Sequence, residues 1–117
     1  MKFYLETFGC QMNVHDSERI SWILSREGHK RTNDPSRADL VLINTCSIRE
    51  KAEDKVFSRL GRLFLLKRNN PHLMFGLLGC MAQRHGEALL KRLPDLRFIV
   101  GPDSLHRIPE LIEQECA

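Results

Sequence analysis

The stretch LETFGCQMNVHDSE, residues 5–18, runs a strand-like segment into a Gly-Cys pair, then adds amides, a histidine and carboxylates. A buried structural cysteine sits more naturally inside an apolar run, so the partners of this thiol become the question. The chain has four cysteines, at positions 10, 46, 80 and 116, separated by 36, 34 and 36 residues. There is no CxxC pair and no Cys/His finger spacing, which argues against a zinc ribbon. Intervals of that size suit one strand–helix–strand unit each, roughly 30 residues or more. Outside a secreted chain, such cysteines favour metal or catalytic chemistry over a disulfide framework.

The order of elements explains the spacing. Strand signals fall at Lys2–Phe8, Leu40–Thr45, Met74–Gly79 and Arg97–Gly101, with a weaker one at His29–Thr32. The runs LVLINT, MFGLLG and RFIV are short and apolar without strict alternation, as expected for strands buried on both faces. A first helix is expected to end near Glu27, with Gly28 as its C-cap. A second starts at the S-x-x-E capping box Ser47-Ile48-Arg49-Glu50, carries a stripe of Ile48, Ala52, Val56, Leu60, Leu63 and Phe64, and stops at Asn69-Asn70-Pro71. A third covers Gly86–Leu93 and a fourth Ile108–Glu115, with Pro109 in its first turn. The order β-α-β-β-α-β-α-β-α predicts one doubly wound, flavodoxin/Rossmann-like α/β domain over residues 1–117. Its expected core is a five-stranded, mostly parallel sheet between two helical layers.

In that arrangement Cys10, Cys46 and Cys80 each follow a strand and precede a helix. Carboxyl ends of parallel strands share one edge, where ligands bind. With the strand order 2-1-3-4-5, the first, third and fourth strands are neighbours about 4.8 Å apart. Cys116, at the end of the fourth helix, is remote from that edge. Helix N-termini beside thiols lower their pKa and favour an anionic group. Gly9 and Gly79, each preceding a cysteine, let backbone approach a bulky inorganic group.

Three chemistries stay open for the thiols. Zinc needs a fourth ligand or water. A nucleophilic cysteine needs a base, and His15 is the nearest to Cys10. An iron–sulfur cluster normally takes four thiolates, so three leave one iron open. Taken singly, each cysteine also reads as a small buried hydrophobe.

Composition narrows the classes further. An apolar share of 42% and a charged share of 28% are ordinary for a globular protein. No stretch approaches the roughly 18 apolar residues of a membrane helix, and Met1-Lys2-Phe3-Tyr4 enters a strand without a signal-peptide pattern. A cytoplasmic protein with no membrane contact is expected. Net charge is only +3, but Arg49, Lys51, Lys55, Arg59, Arg62, Lys67 and Arg68 cluster on the second helix. Such a face is most simply solvated, and it is compatible with nucleic acid.

The blocks TFGCQMNVHDSE, NTCSIREKAEDKVFSRLGRL and LGCMAQRHGE, with the tail VGPDSLHRIPELI, resemble the N-terminal domain of the methylthiotransferases, which are radical S-adenosylmethionine enzymes. The resemblance covers essentially all 117 residues. GCQMN and NTCSIREKA look like the tRNA-modifying branch that acts on N6-dimethylallyladenosine. The threonylcarbamoyladenosine branch is the neighbouring alternative, and ribosomal-protein methylthiotransferases usually carry GCPKN instead. The resemblance implies that Cys10, Cys46 and Cys80 hold an auxiliary 4Fe–4S cluster with one open iron, donating sulfur to carbon 2 of the adenine beside the anticodon. It also implies a second 4Fe–4S cluster, S-adenosylmethionine, a radical domain on the same polypeptide and the tRNA anticodon stem-loop as partners. The C-x-x-x-C-x-x-C motif of that second cluster does not occur here, so a first domain inactive alone is expected. Cys116 matches no family ligand. Gln11, Asn13, Asn44, Ser47 and Gln83 are expected either to contact the cluster or adenine, or to cap helices and fix loops. Arg49 and Lys55 are expected either to face the anticodon loop or to be solvated.

Overall fold

LVLINT and MFGLLG lack alternation because both their faces are covered: every residue of β3 (Leu40–Thr45) and β4 (Met74–Gly79) is buried. The computed structural model describes residues 1–8, 11–45, 50–79, 82 and 86–116, with 11–14, 50–53 and 116 described as backbone only. β1 (Lys2–Phe8), β2 (Lys30–Arg31) and β5 (Leu96–Val100) complete a five-stranded sheet of order β2-β1-β3-β4-β5, the order expected from the sequence. All its pairings are parallel, where a mostly parallel sheet was expected.

Four helices flank the sheet among the described residues: α1 (Gln11–Arg26), α2 (Glu50–Phe64), α3 (Ala88–Arg92) and α4 (Ile108–Cys116). α1 starts earlier than its polar opening residues suggested. Its end is a Schellman motif, with Gly28 at φ +89 and its N–H bonded to Ser25 O, while His29 N–H reaches Leu24 O. The first turn of the α2 capping box, Ser47-Ile48-Arg49, lies outside the described residues. Three short 3₁₀ segments, Pro35–Arg37, Leu65–Arg68 and Pro102–Arg107, were not foreseen. The first is held by Asp34, whose Oδ1 accepts from Ser36 N–H at 3.0 Å, with Pro35 fitted to the opening turn. It is the one helical segment of the β2-to-β3 crossover, so that connection contains no α-helix.

Alternation sorts the core into two layers. On one face Phe3, Leu5, Leu40, Leu42, Met74, Leu78, Phe98 and Val100 pack against Ile20 and Leu24 of α1 and Ile108 and Ile112 of α4. On the other, Val41, Ile43, Phe75 and Leu77 meet Val56, Leu60 and Leu63 of α2 and Leu89 of α3. Each fully buried side chain of this size stabilises by about 1.5–3 kcal/mol. Phe64 meets Phe75 edge-to-face, centroids 4.8 Å apart. No helix among the described residues is long and apolar enough to cross a membrane.

Gly76 shows how tightly β4 and β5 are packed. A methyl group there would lie 2.5 Å from Phe98 Cε2 and 2.9 Å from Leu42 Cδ2, both on buried side chains. Gly76→Ala is therefore expected to destabilise by about 1–3 kcal/mol, the range for overpacking. Gly61→Ala, on the open face of α2 with nothing within 4 Å, should stabilise by about 0.5–1 kcal/mol. Urea denaturation of the two variants checks both signs.

Candidate functional site

Register aligns the ends of three strands. Phe8 pairs with Thr45, and Thr45 pairs with Gly79, so β1, β3 and β4 finish side by side on the carboxyl edge. In the sequence Cys46 follows Thr45 directly, Cys80 follows Gly79 directly, and Cys10 comes two residues after Phe8. Cys10, Cys46 and Cys80 themselves lie outside the described residues, as do Gly9, Ser47, Arg49 and Gln83. Gln11 and Asn13 are described as backbone in α1. Cys116 closes α4. Its neighbour Glu115 meets Arg97 at 3.8 Å near the start of β5, which puts this end of α4 at the amino edge of the sheet. No cluster of three metal-ligating side chains occurs among the described residues.

The edge is tied together by polar contacts from both faces. On the α1 face Thr7 Oγ1 and Ser17 Oγ share a hydrogen bond at 2.5 Å, and Asn44 Nδ2 donates to Ser17 Oγ at 3.0 Å. Ser17 and Asn44 are buried, so this network joins β1, α1 and β3 away from water. Asn44, one of the residues considered for contact with a ligand, is engaged in fixing the edge. Thr45 Oγ1 donates to Leu78 O at 2.9 Å, joining β3 to β4.

Gly79 has φ +96, and a methyl group there would collide with the carbonyl oxygen of Thr45. That contact with its own strand neighbour already requires glycine. Close approach of an inorganic group, the reason expected from sequence, is not needed to explain it.

On the α2 face stands a three-residue cluster. The Glu6 carboxylate accepts from Arg59 Nε at 2.9 and 3.0 Å and from Tyr4 OH at 2.6 Å, and Arg59 Nη2 lies 2.9 Å from Oε1. The Glu6 and Arg59 side chains are 20% and 35% exposed, so the pair is half-withdrawn from solvent. Burial, reinforced by the hydrogen bond to Glu6, holds the Tyr4 phenol above its ordinary value. The same carboxylate pushes the Arg59 guanidinium up.

This pairing revises the basic face. Arg59 is neutralised by Glu6, and Lys67 reaches Asp95 at 3.6 Å. Lys55, Arg62 and Arg68 remain as its exposed cations among the described side chains. His15 is 81% exposed and 4.0 Å from Glu18, a surface position without the buried setting of a catalytic base. A cleft of about 360 Å³ opens at the opposite edge, lined by Met1, Asp39, His72, Arg97 and Glu115. Sequence reasoning missed Tyr4, Glu6, Thr7, Ser17 and Thr45. The one available signal was a carboxylate inside the strand KFYLETF.

The model of the family described as "Uncharacterized protein family UPF0004" matches residues 2–101. A tRNA-2-methylthio-N(6)-dimethylallyladenosine synthase of Chromobacterium violaceum is 51% identical over 113 residues, covering 96% of this chain and 26% of the relative. Proteins of the same name from a Janthinobacterium species (51% over 114 residues, 97% and 26%) and Thermodesulfovibrio yellowstonii (52% over 112 residues, 96% and 26%) align similarly. The chain thus spans about a quarter of the length of these curated relatives.

Two outcomes test the edge. Ser17→Ala removes the group shared by Thr7 and Asn44 and should cost about 1–3 kcal/mol in urea denaturation. Tyr4 is the only tyrosine, so ultraviolet titration reads it alone, with a midpoint expected above 10.0. The midpoint should fall in Glu6→Gln and rise further in Arg59→Gln, because the carboxylate raises it and the guanidinium lowers it. The stability held by this phenol is full below about pH 10 and is lost as pH rises through its higher folded value.

Proposed function

This chain belongs to the UPF0004 family, and on that premise we propose that it is the sulfur-donating, cluster-holding domain of a tRNA methylthiotransferase. Cys10, Cys46 and Cys80 would hold a 4Fe–4S cluster. The observation that carries the reading is the common row of Phe8, Thr45 and Gly79 on three adjacent parallel strands. Strands about 4.8 Å apart make that row about 10 Å long. One or two peptide units of 3.8 Å separate each strand end from its cysteine. A donor set of three soft thiolates suits iron–sulfur chemistry, and it leaves one iron without a protein ligand. When bound, such a cluster supplies sulfur, held at that open iron, for transfer to carbon 2 of an adenine.

The chain's own part is to present the three thiolates and keep their spacing. α1 begins at Gln11, immediately after Cys10, and the free N–H groups of a helix start favour thiolate over thiol. The Thr7–Ser17–Asn44 network and the Thr45–Leu78 bond fix the strand ends from which the cysteines depart.

The relatives' name supports N6-dimethylallyladenosine in tRNA as the substrate, and the family resemblance implies a place for it next to the anticodon. S-adenosylmethionine and a second 4Fe–4S cluster would be bound outside these 117 residues, which lack the C-x-x-x-C-x-x-C motif. The domain is then inactive alone and works against a radical domain of the same polypeptide, with the tRNA anticodon stem-loop as partner.

Anaerobic reconstitution with iron and sulfide tests the reading. About four irons per chain and a broad visible absorbance are expected. Cys10→Ala, Cys46→Ala and Cys80→Ala should each abolish both signals, while Cys116→Ala keeps them. Uptake of zinc in place of iron, or equal loss in Cys116→Ala, would refute the ligand assignment.

A further inference from the structure

We propose that Glu6, gripped by Arg59 and Tyr4, is a positioning residue that locks α2 onto β1 and so fixes the distance between the cysteine loops after β1 and β3. The inference rests on the reading that Cys10 and Cys46 share one cluster.

Glu6 stands in an unfavourable place for a carboxylate. Its register partner on β3 is Ile43, whose own partner on β4 is Leu77, and both are fully buried. Burying a charge is costly unless it is paired, and an apolar residue of similar volume often serves stability equally well. What an apolar residue does not supply is direction. Val56, Leu60 and Leu63 hold α2 to the sheet by contacts that tolerate sliding and rotation, because the hydrophobic effect is non-directional. A guanidinium fork on a carboxylate fixes both distance and angle. Tyr4, on the same face of β1, donates to Oε1, an oxygen that Arg59 also holds.

The location gives that lock a lever. Glu6 lies two residues before the end of β1, the strand that leads to Cys10. Arg59 lies on α2, the helix that follows Cys46. Among the described residues no other ion pair joins β1 to α2. A helix rises about 1.5 Å per residue, so the grip at Arg59 sits about 14 Å from Glu50. A rotation of α2 about that grip displaces its start at Glu50 in proportion to that distance.

The test uses the 117-residue chain, reconstituted anaerobically and then challenged with an iron chelator. Glu6→Gln and the apolar pair Glu6→Leu/Arg59→Leu should release iron about tenfold faster or more, the scale seen when supports of metal ligands are lost. Their visible circular dichroism should also change. The melting temperature of the metal-free Glu6→Leu/Arg59→Leu variant should stay near that of the parent, which separates positioning from folding. Arg59→Lys, which keeps the charge without the fork, and Tyr4→Phe should fall between parent and Glu6→Gln. Release rates equal to the parent in all these variants would overturn the inference while leaving the cluster assignment intact. A parent chain that takes up no iron would overturn both.

Discussion

Parallel strands cannot be joined by a tight turn, so each must be followed by a crossover that leaves from the same edge of the sheet. That single constraint organises this molecule. β1, β3 and β4 are neighbours in register, and their last residues, Phe8, Thr45 and Gly79, form one row. Residues tens of positions apart along the chain therefore begin their connections within two strand spacings of each other, about 10 Å. Any chemistry needing convergent side chains from distant segments is most easily assembled there.

The polar contacts follow from the same constraint. Deep in the sheet, β3 and β4 need only apolar residues, because helices cover both faces. Near the carboxyl edge polar groups are buried as well, and there they are paired with one another. Thr7, Ser17 and Asn44 close the α1 side, and Tyr4, Glu6 and Arg59 close the α2 side. The edge is thus held by directional bonds where the interior is held by packing. Directional bonds fix the angle as well as the distance between neighbouring elements, which apolar packing alone does not.

The family match and the sheet cover the same part of the chain. The UPF0004 match covers residues 2–101, from β1 to just past β5, and so includes every strand of the sheet. The chain corresponds to about a quarter of relatives named for methylthiolation of a tRNA nucleoside. The basic face contributes less than its composition suggested, since Arg59 and Lys67 are occupied by Glu6 and Asp95.

Local chemistry made much of this legible from the sequence. Strand bounds at Lys2–Phe8, Leu40–Thr45 and Met74–Gly79 follow from short apolar runs stopped by polar or glycine residues, and Gly28 marked the end of α1 because only that residue type takes its φ cheaply. The cysteines' places after three strands came from the same local reading, while the cluster expectation came from the family resemblance of the blocks around them. The 3₁₀ segments escaped it, since runs of three to six residues are too short to show a period, and only Pro35–Arg37 carries a side-chain cap, from Asp34. Pairing partners lay beyond it altogether. That Gly76 must be small against Phe98, that Gly79 must yield to Thr45, and that Glu6 meets Arg59 across 53 positions were decided only when strands and helices packed. Periodicity reports which way a residue faces; only the assembled layers determine what it faces, because contacts distant in sequence have no local signature.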